Sequence, residues 1–115
     1  MHKPVIYHNP RCSKSRETLA LLEERGLEPE IVRYLDTPPG EETLRQLAKQ
    51  LGVRAHDMIR SNEDVYRELG LGADSSEDEL FRAMAEHPVL LQRPIVVAGG
   101  KARIGRPPEA VLEIL

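Results

Sequence analysis

The sequence predicts an α/β fold with a mixed four-stranded sheet, because β-prone segments stand at both ends of the chain and helical patterns fill the middle. Residues 4–7 form the first such segment and precede the turn-forming His8-Asn9-Pro10. Gly99-Gly100 separates two further β-prone segments near the end of the chain. These observations predict a βαβ unit, a helical insertion, and then a β-hairpin followed by a helix.

The predicted βαβ unit spans residues 4–35. The apolar face of its helix carries Leu19, Leu21 and Leu22, and Gly26 ends the helix. Residues 30–35 are rich in β-prone side chains and predict the second strand. A helical connection of this length predicts that the two strands are parallel, with a right-handed crossover.

The helical insertion begins after the breaker cluster Thr37-Pro38-Pro39-Gly40. Its first helix is predicted from Leu44, Leu47, Ala48 and Leu51 at helical spacing, with Gly52 as a stop. Two shorter helical segments are predicted at residues 56–59 and 63–69. Ser76 and Glu79 form a capping-box pattern for a helix that continues through Met84, and Pro88 prevents its extension.

The C-terminal part is predicted to be a β-hairpin and a helix. Residues 94–98 and Lys101–Ile104 flank Gly99-Gly100, the composition of a two-residue turn with positive φ at both positions. Pro107-Pro108-Glu109 suits a helix start. The inward face of that helix would carry Val111, Leu112 and Leu115. This order of elements is that of a thioredoxin fold with an enlarged middle connection, and the length predicts one domain over residues 1–115.

Charge and composition exclude several classes of protein. The formal net charge is -3, so the chain lacks the overall positive charge on which binders of the phosphate backbone depend. No apolar run approaches the roughly 18 residues that span a bilayer, and the N-terminus shows no signal-peptide pattern. We therefore expect a cytoplasmic protein with neither nucleic acid nor membrane as a partner.

Cys12 is the single cysteine and lies in a basic loop between the first strand and the first helix. A lone cysteine is usually a small buried hydrophobe, but this polar setting favours a nucleophile. The unpaired amides of a helix start, together with Arg11, Lys14 and Arg16, would stabilise a thiolate. Such help matters because a free thiol with a pKa of about 8.5 is only about 3% ionised at pH 7.

The surroundings of Cys12 also limit its redox chemistry. Cys12-Ser13-Lys14-Ser15 is a Cys-X-X-Cys pattern in which Ser15 replaces the second cysteine. Any redox reaction must therefore take its second sulfur from another molecule. His8 stands just before this loop and could hydrogen-bond to it or tune it.

Three arginines are candidate oxyanion ligands, namely Arg60, Arg93 and Arg106. Each would be a solvated surface charge in most proteins. Arg93, however, precedes Pro94 at the entry to the third strand, where thioredoxin folds carry a cis-proline beside the active cysteine. Arg106 ends the hairpin, on the side of the sheet where Arg93 is also predicted to lie. Guanidiniums near one thiolate would make a multidentate site for a tetrahedral oxyanion.

Two other site types are not predicted. His2, His56 and His87 have no companion ligand at metal spacing, so no metal is expected. A phosphatase-type loop would need an arginine six residues after the cysteine, and Thr18 stands there.

Short motifs along essentially the whole chain, taken in order, resemble those of one family. They are Tyr7-His8-Asn9-Pro10 with Cys12, Ser15 and Arg16, then Tyr34-Leu35 with Thr37-Pro38-Pro39, Ile59-Arg60, Glu68-Leu69-Gly70-Leu71, His87-Pro88, Gln92-Arg93-Pro94-Ile95-Val96-Val97 and Arg106-Pro107. The sequence resembles the glutaredoxin-dependent arsenate reductase family, in a short subgroup without a C-terminal extension.

The resemblance implies a thioredoxin-like domain in which Cys12, as a thiolate, attacks arsenate. It implies that Arg60, Arg93 and Arg106 hold the oxyanion, and that His8 assists thiolate formation, with Ser15 as a further catalytic position. It also implies that glutathione is the co-substrate and that glutaredoxin completes the reduction to arsenite. We expect a monomer without a bound cofactor.

Two alternatives stay open at this point. One is a redox-sensing transcription regulator of the related Spx type, which binds RNA polymerase. Such regulators commonly use a Cys-X-X-Cys switch at this place, and Ser15 removes it here. The other is a glutathione-linked thiol oxidoreductase that does not use arsenate.

Overall fold

The computed structural model describes residues 3–115, which form two compact units. The first unit comprises the chain up to Thr37 together with Arg93–Leu115, and the second comprises Pro38–Gln92. His2 lies outside the described residues. Within residues 3–115, no helix is both long and apolar enough to cross a membrane. A single domain over residues 1–115 stays a prediction.

The first unit contains the predicted mixed four-stranded sheet. Its strands are β1 (Val5–Tyr7), β2 (Glu30–Val32), β3 (Ile95–Ala98) and β4 (Lys101–Ile104). The order in the sheet is β2-β1-β3-β4. β1 pairs with β2 in parallel, whereas β3 is antiparallel to both β1 and β4. Helix α1 (Ser13–Glu24) connects β1 to β2, so the βαβ prediction is confirmed.

The second strand is shorter than the sequence predicts. It ends at Val32 rather than at residue 35, because the backbone N–H groups of Asp36 and Thr37 both donate to the Arg33 carbonyl and turn the chain. Within residues 3–115, β2 is an edge strand whose only neighbour, β1, ends at Tyr7. Beyond that point no partner strand is available, so the β-prone Tyr34 is buried in a turn instead.

The hairpin has the predicted turn. Ala98 and Lys101 are opposite each other in the register, and Gly99 and Gly100 have φ angles of 58° and 79°. Side chains are strongly disfavoured at such angles, which explains the two glycines.

The last helix is a 3₁₀ helix (Pro108–Ile114), which corrects the predicted inward face. A 3₁₀ helix has three residues per turn, so Val111 and Ile114 lie on one side, whereas an α-helix would pair Val111 with Leu115. Val111 is fully buried with Ile6, Leu22 and Val96, and Ile114 packs against this core. Leu115 is 43% exposed and Leu112 is half-buried.

The second unit is helical, as the sequence predicts. It consists of α2 (Glu41–Leu51), α3 (Ala55–Met58), α4 (Asp64–Glu68), α5 (Glu77–Glu86) and a 3₁₀ turn (Pro88–Leu90). Gly52 ends α2 with a φ of 73°, and the capping box of Ser76 and Glu79 opens α5. α5 packs on α2 and α3 around a core of Leu44, Leu47, Met58, Leu80, Met84 and Leu90.

Candidate active site

The loop before α1 is organised by Asn9, which the sequence patterns place in a turn but do not mark as a site residue. The Asn9 carbonyl accepts the N–H of Cys12 at 3.0 Å, and its side-chain Oδ1 accepts the N–H of Arg11 at 3.0 Å. Arg16 also braces the loop, because its Nη1 donates to the Pro10 carbonyl at 3.0 Å. The signal was available, since an Asn side chain commonly bonds to the backbone two residues on. These bonds fix Cys12 at the helix start.

Cys12 occupies the N-cap position of α1 and is half-buried. Burial alone raises the pKa of the Cys12 thiol, but hydrogen bonds from the Ser15 and Lys14 backbone N–H groups and from the Arg93 side chain lower it, and the net shift is downward. The amides are the unpaired donors of a helix start, which favour an anion. These contacts favour the thiolate of Cys12, and its role as an activated nucleophile stays a prediction.

Arg93 and Arg106 lie at this thiol. Nη2 of Arg106 is 3.5 Å from Sγ of Cys12, and its Nε donates to the Arg93 carbonyl at 2.8 Å. Nε of Arg93 is buried, yet it has no acceptor among residues 3–115. Because buried donors are nearly always satisfied, this one is suited to an anion bound beside the sulfur. The Arg93–Pro94 peptide bond is cis, as is Arg106–Pro107.

Gly105 is a further residue that the sequence patterns do not mark as a site residue. It is buried, and its backbone N–H donates to the Pro94 carbonyl at 2.9 Å. A Cβ at this position would lie 2.6 Å from Oγ1 of Thr18 and 2.8 Å from Cγ of Pro94. Only glycine allows the chain to pass so close to α1 and deliver Arg106 to Cys12. This close approach is tertiary, so no local pattern signals it.

His8 and Ser15 form a buried pair behind the thiol. Nδ1 of His8 is 2.7 Å from Oγ of Ser15, which also accepts the Asn9 N–H at 3.0 Å. Burial lowers the pKa of His8, and the positive charges of Arg33 and Arg16 lower it further. Both effects favour the neutral imidazole over the charged form. Its contact is with Ser15, whose backbone N–H in turn bonds to Cys12.

Arg60 belongs to the second unit. Its backbone N–H donates to the Leu90 carbonyl at 2.7 Å, and its Nε donates to Oε1 of Glu63 at 3.1 Å. A role for Arg60 in oxyanion binding stays a prediction. Among the described residues, no group of three or more His, Cys, Asp or Glu side chains could hold a metal ion.

The depressed pKa of Cys12 gives a pH prediction. Alkylation by the neutral reagent iodoacetamide follows the thiolate population, so its rate should rise with pH and level off. We expect the midpoint below the value of about 8.5 for a free cysteine. The control is Arg25→Gln, since Arg25 is exposed at the far end of α1 and should leave the midpoint unchanged. A wild-type midpoint at or above that of free cysteine would contradict an activated thiol.

Comparisons with known proteins agree with this fold. The model of the ArsC family matches residues 7–114. The chain is 62% identical to "Uncharacterized protein YfgD" of Escherichia coli (strain K12) over 96% of this chain and 94% of that protein. It is 53% identical to an arsenate reductase of Neisseria meningitidis serogroup A, covering 96% of both chains. The solved arsenate reductase from Vibrio cholerae superposes with a TM-score of 0.95, at 57% identity and over 98% of both chains.

Fold and site together define a thioredoxin-like protein whose cysteine lies at a helix start beside guanidinium groups. The chain belongs to the ArsC family.

Proposed function

We propose that this chain reduces arsenate to arsenite, with Cys12 as the nucleophile. The observation that supports this most strongly is the placement of Sγ of Cys12 at 3.5 Å from the Arg106 guanidinium, beside the unused buried donor of Arg93. An anionic tetrahedral substrate would complete this arrangement of donors. Relatives named arsenate reductases, which match nearly the whole chain, supply the identity of the oxyanion.

The first step is a condensation. The Cys12 thiolate attacks As(V), a sulfur–arsenic bond forms, and one arsenate oxygen leaves as water after protonation. Arg93 and Arg106 hold the remaining oxygens and offset their negative charge, which lowers the repulsion between two anions. Arg60 is proposed as a third ligand. His8 and Ser15 act behind the sulfur, where they keep the loop amides aimed at it.

The second step needs an external thiol. Reduction of As(V) to As(III) takes two electrons, and the chain has one cysteine. A glutathione thiolate attacks Sγ of Cys12, the sulfur–arsenic bond breaks, and its electron pair leaves with arsenic as arsenite. Cys12 and glutathione are then joined in a mixed disulfide, which glutaredoxin clears by thiol–disulfide exchange. Glutathione is thus a co-substrate, and the scheme needs no bound cofactor.

The compartment and oligomeric state follow from the same scheme. The reaction requires a reduced pool of thiols, which is a property of the cytoplasm, so we place the protein there. One chain supplies every group that the scheme uses, and we propose that it acts as a monomer.

The test is arsenite production by the purified chain with arsenate, glutathione and glutaredoxin. We expect many turnovers with the complete mixture and none when thiols are omitted. Exchange of glutathione disulfides without any arsenite would instead favour a thiol oxidoreductase that does not use arsenate. Binding to RNA polymerase with no turnover of either kind would favour a regulator of the Spx type.

A further inference from the structure

A cleft lies beside the Cys12 loop, in the first unit. Its volume is about 320 Å³, within the range of small-molecule sites. Residues 8–11, which lead into Cys12, form part of its lining, and Arg33, Leu35 and Asp36 form the rest. These two segments follow the parallel strands β1 and β2, so the cleft lies at their carboxyl ends. Open α/β sheets commonly bind their ligands at this edge.

The charges that line the cleft are two cations and one anion. Arg11 and Arg33 are exposed, and within residues 3–115 neither guanidinium is paired with a carboxylate. Asp36 is also exposed and likewise has no ion-pair partner in that part of the chain. The positive charge of Arg33 is felt at the lining residue His8, where it contributes to the lowered pKa. The cleft therefore favours a ligand with more negative than positive groups.

We propose that this cleft binds glutathione, with its two carboxylates at Arg11 and Arg33 and its ammonium group at Asp36. The inference rests on the proposed function, which requires such a co-substrate. Glutathione carries two carboxylates and one ammonium group, the inverse of the charges in the cleft. Guanidiniums bind carboxylates through paired hydrogen bonds, and the half-exposed Leu35 offers an apolar surface for the peptide stem.

The distances along the chain allow the bound thiol to reach Cys12. Arg11 directly precedes Cys12, so their Cα atoms are about 3.8 Å apart. An extended tripeptide spans about 10 Å, and the thiol of glutathione is on its middle residue. Glutathione anchored at Arg11 can therefore bring its sulfur to Sγ of Cys12, where the sulfur–sulfur bond forms and the sulfur–arsenic bond breaks.

The test uses disulfide exchange, which needs no arsenate. The Cys12 thiolate attacks glutathione disulfide, gains one glutathione and releases the other as a thiolate, and the rate is read by intact mass. The same rate is measured with bis(2-hydroxyethyl) disulfide, which is uncharged. A change in the ionisation of Cys12 affects both reactions alike, so the ratio of the two rates isolates recognition of glutathione.

We expect the doubly substituted variant Arg11→Gln with Arg33→Gln to lower this ratio by about tenfold, because two charge-assisted contacts are lost. The matched control is Arg25→Gln, since Arg25 is exposed in the same unit and has no ion pair within residues 3–115. It should leave the ratio unchanged. An unchanged ratio in the double variant, or an equal fall in the control, would overturn the cleft as the glutathione site.

This design separates the two proposals. If the wild-type protein makes no arsenite, but the ratio of the two exchange rates falls in the double variant, the glutathione cleft is supported and the proposed arsenate activity is refuted. If the wild-type protein makes arsenite, but the double variant leaves the ratio of exchange rates unaltered, the arsenate activity is supported and the cleft is refuted as the glutathione site.

Discussion

Replacing Cys12 by serine should lower arsenate turnover by about a thousandfold or more, because the hydroxyl is far less ionised at neutral pH than the thiol. A serine hydroxyl also cannot form a disulfide, so it cannot supply electrons to arsenic. Even a slow ester with arsenate therefore could not lead to arsenite. The measurement is arsenite released per chain with saturating glutathione and glutaredoxin.

The same variant should keep its fold. Cys12 is half-buried at the N-cap of α1, where the Lys14 and Ser15 backbone N–H groups approach its sulfur. Serine is a favoured N-cap residue, so the free energy of unfolding should be unchanged or higher by up to about 1 kcal/mol. Thermal unfolding checks this, with Cys12→Ala as the control that removes the cap as well as the thiol. Retention of more than a small fraction of the turnover by a folded Cys12→Ser chain would remove Cys12 as the nucleophile.

Replacing Arg93 by lysine should reduce kcat/KM for arsenate on the order of a hundredfold, the cost of losing one preorganised donor to an oxyanion. Lysine keeps the charge but loses the planar fork, including the buried Nε that has no acceptor in the described chain. The pKa of Cys12 should rise as well, because the Arg93 side chain is one of the groups that lower it. Kinetics with varied arsenate and the iodoacetamide midpoint measure the two effects separately.

Arg106→Lys should cost less, about tenfold, since Arg106 is exposed and its Nη2 approaches Cys12 at 3.5 Å. Arg60→Lys tests the third proposed ligand, and Arg25→Lys serves as the control that should leave the kinetics unchanged. Unaltered kinetics in all three of Arg60→Lys, Arg93→Lys and Arg106→Lys would argue decisively against an oxyanion site made of these groups.

Sequence patterns predict the helix and strand boundaries that depend on local residues. Gly52 and Gly99-Gly100 adopt positive φ, and the capping box of Ser76 and Glu79 marks the start of its helix. These boundaries therefore lie where the sequence patterns predict them. β2 was predicted too long because its length depends on where β1 stops offering a partner, which is a property of the sheet. The predicted inward face of the last helix is wrong because the 3₁₀ and α periods diverge within one turn.

The candidate site likewise contains residues whose positions local patterns predict and residues whose positions depend on tertiary contacts. The position of Cys12 at a helix start could be predicted because a basic strand-to-helix loop is a local feature, and that of Arg93 because it precedes Pro94 at a strand entry. Gly105 could not, since the need for glycine comes from Thr18 and Pro94 packed against it. Arg33 could not either, because it joins the cleft only through the parallel pairing of β1 with β2.

In the proposed reaction, Cys12 starts the reduction and an external thiol finishes it. Its most direct test is intact mass with peptide mapping, recorded alongside arsenite release after the chain is mixed with arsenate, with and without glutathione. We expect no arsenite without glutathione, and with glutathione one arsenite released for each glutathione that becomes attached to Cys12 before glutaredoxin is added. Sustained arsenite release without any thiol, or a glutathione adduct anywhere other than Cys12, would contradict it.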